Sequence, residues 1–236
     1  MASRGPLNAD VRRHDMDSKA VNRQIRRTIW PLLKASGFAS TSTRTAWRHS
    51  EQKIDVVNFQ SFNSYNAEVL GVTTFSFAIN LGAYLRYVPP QWPPKKIRNG
   101  VPYPAEYECQ FRGPILRTLD QPRNKHPQIW FVESDGRNLL WCINDVVQRV
   151  PDALAWFERL ESKSSVLRIL LDEREQMSSL WGFGNKPSPN RSYLTGYVAM
   201  HLGDDALADQ EFEKAVASGC YTSLFSSVKG ARYRAV

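Results

Sequence analysis

The chain has 236 residues, of which 42% are hydrophobic and 23% are charged, and its formal net charge is +8. This composition is typical of a globular protein long enough to bury a core, and the chain lacks the run of roughly 18 apolar residues that a membrane span requires. The first 30 residues contain no apolar segment resembling a signal peptide, and the three cysteines are widely spaced. We therefore expect a cytosolic protein with free thiols.

The positive charge is concentrated at the N-terminal end. Residues 1–53 contain 11 Lys and Arg residues but only 4 Asp and Glu residues, whereas the C-terminal third is nearly neutral. Residues 1–17 are polar and include Gly5 and Pro6, which predicts a disordered basic arm. A basic end favours an acidic partner or a phosphate backbone, although a solvated helix face has the same composition.

An amphipathic helix is predicted after this arm. Ser18 is a candidate N-cap, and apolar residues then recur at helical spacing on one face. These apolar residues are Val21, Ile25, Ile29, Leu32 and Leu33. We expect Pro31 to kink or restart the helix and Gly37 to end it.

From about residue 43 the hydrophobic period changes to two, which predicts strands. The predicted strands cover 46–49, 54–60, 74–81, 106–112 and 129–132. The second strand is apolar on both faces, so we expect it to be central in the sheet. We expect Gly82 to end or bulge the third strand, and the Gly-Pro pair at 113–114 to stop the fourth. We interpret 61–66 as a loop or an irregular strand end.

Helices are predicted for most of the remaining chain. Ser134 or Asp135 is the candidate cap of a helix that runs to Pro151, which closes that helix or opens the next. Further helices are predicted over 164–177, 193–202 and 205–217. The last two resemble a single tetratricopeptide-type hairpin without a second copy, so a repeat array is not predicted.

These elements together predict an α+β protein. We expect an N-terminal helix packed on a four- to five-stranded antiparallel sheet within 18–133. A C-terminal helical region at 134–228 is expected to pack on the same core. Residues 229–236 are predicted to form a basic, frayed tail.

Four short phrases occur in order along the first half of the chain. They are Pro-Leu-Leu-Lys followed by Gly-Phe at 31–38, Trp-Arg at 47–48, Val-Asn-Phe-Gln at 57–60 and Phe-x-Ile-Asn-Leu-Gly at 77–82. In these phrases the chain resembles a bacterial family catalogued as domain of unknown function 4304, over about residues 21–160. The resemblance implies a helix packed on an antiparallel sheet, with helices following. It implies no catalytic residue, because the family has no agreed activity.

The Pro-rich segment 89–104 is the strongest candidate binding element. Its prolines exclude a central strand or a helix, and a long loop inside a compact domain is often functional. It combines aromatic and basic side chains, which grip an acidic protein surface or stack on bases. Core tryptophans and solvated loop charges are the structural alternative. The candidate partner-binding residues are Trp47, Arg48, Trp92, Lys95, Lys96 and Arg98.

Other residues suggest different chemistry. Arg23, Arg26 and Arg27 lie away from the apolar helix face and are candidate nucleic-acid contacts. Asp55 and Glu108 lie on separate predicted strands, as in metal-dependent nucleases, but the lysine that usually accompanies them is absent. The four histidines have no metal-ligand spacing. We predict no catalytic residue, no metal site and no cofactor.

Three carboxamide side chains, those of Asn58, Gln60 and Asn80, lie near the centres or ends of predicted strands. Buried amides are costly unless they are hydrogen-bonded. They therefore either satisfy loop backbone at one end of the sheet or form a polar pocket there.

The sequence favours a non-enzymatic, cytosolic protein-binding module whose partner is another protein. An immunity or defence accessory protein that caps a toxin or effector is one such role, by analogy alone. The first alternative is a nucleic-acid-binding protein that uses the basic N-terminal helix and the Pro-rich segment. The second is a metal-dependent hydrolase that uses Asp55 and Glu108.

Overall fold

Helices flank a group of strands in the first two thirds of the chain, and the regular elements that the structure describes in the last third are helices. The structure is a computed structural model that describes residues 16–172 and 179–234. The helices are α1 (Ser18–Gln24), α2 (Trp30–Ala35), α3 (Ser64–Leu70), α4 (Leu139–Glu158), α5 (Lys163–Leu171), α6 (Pro189–His201), α7 (Asp205–Ala217) and α8 (Val228–Tyr233). The strands are β1 (Ser40–Thr41), β2 (Thr45–His49), β3 (Lys53–Ser61), β4 (Phe77–Leu85), β5 (Ile97–Arg98), β6 (Val101–Pro102), β7 (Phe111–Ile115) and β8 (Ile129–Trp130). Residues 1–15 of the predicted arm lie outside the described residues.

Six of these strands form one antiparallel sheet, which confirms the predicted α+β class. The strand order is β1-β2-β3-β4-β7, and β8 pairs with the start of β4. β3 pairs with β2 on one side and along its whole length with β4 on the other, so its predicted central position is correct. The strand beyond the predicted four or five is β1, which has only two residues.

The N-terminal helix packs on one face of this sheet, which we call the inner face. Its buried residues are Val21, Ile25, Ile29, Trp30 and Leu33, and they share one core with Val57 and Phe59 of β3. Leu32 was predicted on the same face but is partly exposed. A π-helical segment, Ile25–Ile29, joins α1 to α2. Pro31 lies in the first turn of α2, where its missing N–H costs little, so it restarts the helix.

The second half of the sheet corrects the sequence prediction in several places. β4 starts at Phe77 and runs straight through Gly82, which neither ends nor bulges it. Residues 106–112 are not one strand, because Glu106–Glu108 forms a 3-10 turn and β7 starts only at Phe111. The Gly-Pro pair at 113–114 lies inside β7. A proline is tolerated there because β7 is the last strand of the sheet.

The segment after β3 is helical rather than a loop. α3 starts inside the region 61–66 because the Asn63 side chain accepts a hydrogen bond from the backbone N–H of Asn66, which caps the helix. Gly71 ends it with φ +64, a conformation that favours glycine. The helix is short and lies at one end of the sheet, beside the carboxamides of β3 and β4.

The C-terminal helices complete the same hydrophobic core. α4 begins after Asn138, later than the predicted caps, and continues through Pro151 without a break. α5 covers the first part of the helix predicted over 164–177, and residues 173–177 lie outside the described residues. α6 and α7 form the predicted hairpin. Among the described residues, no helix has the length and apolarity needed to cross a membrane.

The basic tail is docked rather than frayed as far as the structure describes it. α8 packs beside α7, and Arg232 forms ion pairs with Asp205 at 2.8 Å and Asp209 at 2.7 Å. The next arginine, Arg234, donates a hydrogen bond to the backbone carbonyl of Pro90 at 3.0 Å. The end of the chain is therefore tied to the base of the Pro-rich segment.

Candidate partner-binding site

The Pro-rich segment 89–104 folds over the outer face of the sheet, opposite the N-terminal helix. Together with the 3-10 turn that follows, it covers one half of that face. A second small hydrophobic cluster forms beneath it, made of Trp47, Ile54, Val56, Tyr84 and Cys109 with Tyr103 packed against them. We call this segment the Pro-rich loop, and its shape depends on what lies under it.

Trp47 anchors this loop from below. Its side chain is only 5% exposed, and its indole N–H donates a hydrogen bond to the carbonyl of Pro104 at 2.8 Å. Its ring meets the Tyr103 ring edge to face, with 5.4 Å between centroids. Trp47 was a candidate partner-binding residue, but a side chain in this position supports the loop instead of contacting a partner.

Arg48 lies on the opposite face of β2, because successive side chains of a strand alternate. Its guanidinium pairs with the Asp55 carboxylate at 2.7 Å and lies over the Phe38 and Phe157 rings. Asp55 also pairs with Lys53 at 3.1 Å. The pKa of Asp55 is raised because burial outweighs the effect of Lys53 and Arg48. Arg48 therefore belongs to a buried charge cluster beneath the inner face.

Trp92 is the most exposed aromatic residue of the loop, with 80% of its surface accessible. It borders a cleft of about 360 Å³ that is also lined by Lys95 and Tyr107. Tyr107 is 61% exposed, and the Lys95 ammonium lies 5.6 Å from the centre of its ring. The cleft thus has two exposed aromatic rings with a cation beside them. We call it the loop cleft.

Hydrogen bonds hold the loop on both sides of Trp92, to α6 on one side and to the 3-10 turn on the other. The Tyr193 hydroxyl donates to the carbonyl of Pro89 at 2.7 Å, and the Gln91 amide donates to the Asn190 side chain at 2.7 Å. On the other side, the backbone N–H of Lys95 donates to the Glu108 carboxylate at 3.1 Å. An anchored loop loses little conformational freedom when it binds, which favours its use as a docking surface.

Lys96 and Arg98 are placed by a small hairpin at the far end of the loop. The turn of this hairpin contains Asn99 and Gly100, both with positive φ, as a tight two-residue turn requires. The Lys96 ammonium lies 4.9 Å from the Trp47 ring, and the Arg98 guanidinium lies 5.3 Å from the Tyr103 ring. These two cations stack on the aromatics under the loop, and neither lines the loop cleft.

The basic helix lies on the other side of the sheet. Arg23, Arg26 and Arg27 are all exposed, and no acidic residue occurs between residues 18 and 35. Within the part of the chain that the structure describes, no carboxylate forms an ion pair with any of the three. Among the described residues these arginines therefore have no carboxylate partner, and the structure does not bring them together with the Pro-rich loop.

The residues of the hydrolase alternative are engaged in other contacts. Asp55 is held by Arg48 and Lys53 under the inner face, whereas the Glu108 carboxylate accepts the backbone N–H groups of Ala105 and Lys95 above the outer face. Cys109 lines the loop cleft, but burial raises the pKa of its thiol well above the usual value, so it is a poor nucleophile. Among the described residues, no group of three His, Cys, Asp or Glu residues is arranged to hold a metal ion.

Sequence reasoning identified Trp92 and Lys95 but missed Tyr107. The alternation of polar and apolar residues at 106–112 placed Tyr107 on a strand face, whereas the 3-10 turn directs it outward beside Lys95. The exposed tyrosine next to a basic, aromatic loop was the available signal. No family model, curated protein or solved structure matches the chain. The resemblance to domain of unknown function 4304 therefore stays a prediction.

Proposed function

We propose that this protein is a non-enzymatic binding module that docks an acidic protein surface at the loop cleft. The observation that carries the proposal is the exposure of Trp92 on a loop that is anchored on both sides. Trp, Tyr and Arg dominate the binding energy of protein interfaces, and here a Trp and a Tyr flank one cleft. The Glu108 carboxylate also lines the cleft but already accepts two backbone N–H groups, so the exposed Lys95 ammonium favours a partner that carries carboxylates.

The cellular setting is part of the same proposal. A cytoplasmic location is supported by three free cysteines, two of which are buried as thiols. A role as an immunity or defence accessory protein is proposed by analogy with other small binding modules, and the identity of the partner would test it.

Replacing Trp92 by alanine is expected to weaken partner binding by about tenfold or more, because a central aromatic contact is lost. The partner is first isolated on the immobilised full chain, and its affinity for each variant is then measured by calorimetry. Lys95→Glu is expected to weaken binding as well, with a larger loss at low salt than at high salt.

Trp141→Ala and Lys125→Glu are the matched controls, because both side chains are exposed and lie outside the loop cleft. Both should bind the partner as the unchanged protein does. If Trp92→Ala binds with unchanged affinity while thermal unfolding shows that it is folded, the loop cleft is not the docking surface.

Nucleic-acid binding is the second candidate function, and the observation that favours it is the exposure of three arginines on the basic helix, none of which pairs with a carboxylate among residues 16–172 and 179–234. Replacing Arg23, Arg26 and Arg27 together by alanine should reduce the slope of log K against log salt by about 2 to 3, because each phosphate contact contributes roughly 0.7 to 0.9. Fluorescence anisotropy with a labelled oligonucleotide at several salt concentrations measures this slope.

The control for this experiment removes exposed cations elsewhere, at Arg123 and Lys125. This double variant should retain the original slope. A weak, salt-independent signal in the unchanged protein would exclude nucleic-acid binding, and an equal loss in both variants would show that the attraction is not specific to the helix.

A further inference from the structure

The half of the outer sheet face that the Pro-rich loop leaves open forms a groove. Its floor is made of side chains from neighbouring strands, with Gln60 paired across from Ala78 and Asn80 paired across from Pro114. The volume of this groove is about 550 Å³, within the size range of ligand sites in proteins. We call it the sheet-face groove, and it shares no lining residue with the loop cleft.

The described residues that line this groove carry no charge, although the protein has a formal net charge of +8. Its walls are apolar and include Phe62 and Leu70 at one side and Leu116 and Trp181 at the other. An anion or a cation would lose its hydration here without gaining a partner charge, which is unfavourable. The described lining therefore favours an uncharged occupant, although one cation, Arg159, donates a hydrogen bond to the Ser179 hydroxyl of the lining at 3.4 Å.

The floor nevertheless contains hydrogen-bonding groups that face the groove. Asn80 donates one amide hydrogen to the Gln60 side-chain carbonyl at 2.6 Å. Neither side chain forms a further hydrogen bond within the described residues. The Asn80 carbonyl oxygen and the Gln60 NH₂ group are left as an acceptor and a donor. Within the described residues neither of these two amides bonds to loop backbone, whereas the third carboxamide, Asn58, accepts a hydrogen bond from the Thr45 hydroxyl at 3.2 Å and does not line the groove.

We propose that the sheet-face groove binds an uncharged, apolar peptide segment in an extended conformation. A peptide unit supplies one N–H and one C=O, which match the free acceptor of Asn80 and the free donor of Gln60. Its apolar side chains would pack against Leu70 and Leu116. A flat polar ring has no apolar side chains with which to make these contacts. This proposal is independent of the loop cleft, since the residues are different.

The test is a titration of the isotope-labelled full chain with the blocked tripeptide acetyl-Leu-Ala-Leu-amide, followed by NMR. We expect saturable shifts of the Asn80 and Gln60 side-chain amides and of the Trp181 indole. Acetyl-Glu-Ala-Glu-amide and uridine are titrated in parallel, as a charged peptide and a flat polar ring. We expect both to bind about tenfold or more weakly than the leucine peptide.

Two variants and one control complete the experiment. Asn80→Leu removes the acceptor and Leu116→Glu introduces a charge, and each should weaken the leucine peptide by about tenfold. Leu140→Glu introduces the same charge on an equally exposed leucine outside the groove, so it should have no effect. No saturable shift at Trp181, equal binding of the acidic peptide, or binding of uridine alone would each overturn the proposal.

Discussion

Replacing Asp55 by alanine is expected to lower the free energy of unfolding by about 3 to 5 kcal/mol. The Lys53 side chain is only 3% exposed and has its ammonium 3.1 Å from the Asp55 carboxylate, 2.8 Å from Glu161 and 2.9 Å from the carbonyl of Phe157. Without Asp55, a buried ammonium and the Arg48 guanidinium lose their shared counter-charge. Urea unfolding followed by circular dichroism measures the change.

Two further variants show whether the effect comes from burial. Asp152→Ala breaks an ion pair of the same 2.7 Å length between Arg149 and an exposed carboxylate, and it should cost about 1 kcal/mol or less. The double variant Lys53→Met with Asp55→Leu should recover at least half of the loss, because apolar side chains carry no desolvation penalty. A loss at Asp55→Ala no larger than at Asp152→Ala would contradict this account.

The loss expected for Asp55→Ala and the recovery expected for the double variant have the same cause, which is the burial of the charges; the raised pKa of Asp55 reflects that burial. Burial disfavours the ionised Asp55 carboxylate more than the two cations favour it. Buried ion pairs in general add little stability compared with apolar side chains of similar volume. Removing Asp55 alone is a different change, since the buried Lys53 ammonium then keeps only the exposed Glu161 carboxylate among the described residues and the Arg48 guanidinium loses its carboxylate. The cluster fixes the end of β3 against the backbone of α4, at the carbonyl of Phe157.

The elements that were predicted correctly are those whose sequence pattern is set by local geometry. The helical spacing of Val21, Ile25 and Ile29 places all three on one buried face, and the apolar run of β3 reflects burial on both sides. The region 106–112 has an equally regular pattern and is not a strand. Alternation predicts that every second side chain is buried on one face, whereas here Tyr107 is exposed, Cys109 is buried under the Pro-rich loop and Phe111 is buried in the main core.

The candidate site was predictable only in part, for a related reason. A Pro-rich segment with Trp92 and Lys95 is recognisable locally, because prolines exclude regular structure and exposed aromatics next to cations are unusual. Trp47 and Arg48 are adjacent in sequence, and both suit a basic, aromatic binding surface. They nevertheless face opposite sides of β2 and have different roles. The sheet-face groove could not be predicted, because it depends on which half of the outer face the Pro-rich loop covers.

Introducing a methyl group at Gly82 is expected to lower the free energy of unfolding by about 2 to 3 kcal/mol. A Cβ atom at this position would lie 2.7 Å from the Cys109 sulfur and 3.1 Å from the carbonyl oxygen of Glu106. The carbonyl belongs to the 3-10 turn, so relief of the contact requires the turn to move away from β4. Urea unfolding of Gly82→Ala measures the loss.

A double-mutant cycle with Cys109→Ala identifies the cause. That change removes the sulfur but leaves the Cys109 Cβ position, 3.0 Å away, and the Glu106 carbonyl, so the cost of Gly82→Ala should fall by about 1 kcal/mol without disappearing. Strict additivity would show that the contact with the Cys109 sulfur does not contribute to the cost of Gly82→Ala. Tyr107 lies in the displaced turn, so Gly82→Ala should also weaken binding at the loop cleft. Trp92→Ala, in contrast, should weaken binding without lowering stability, because its side chain is exposed.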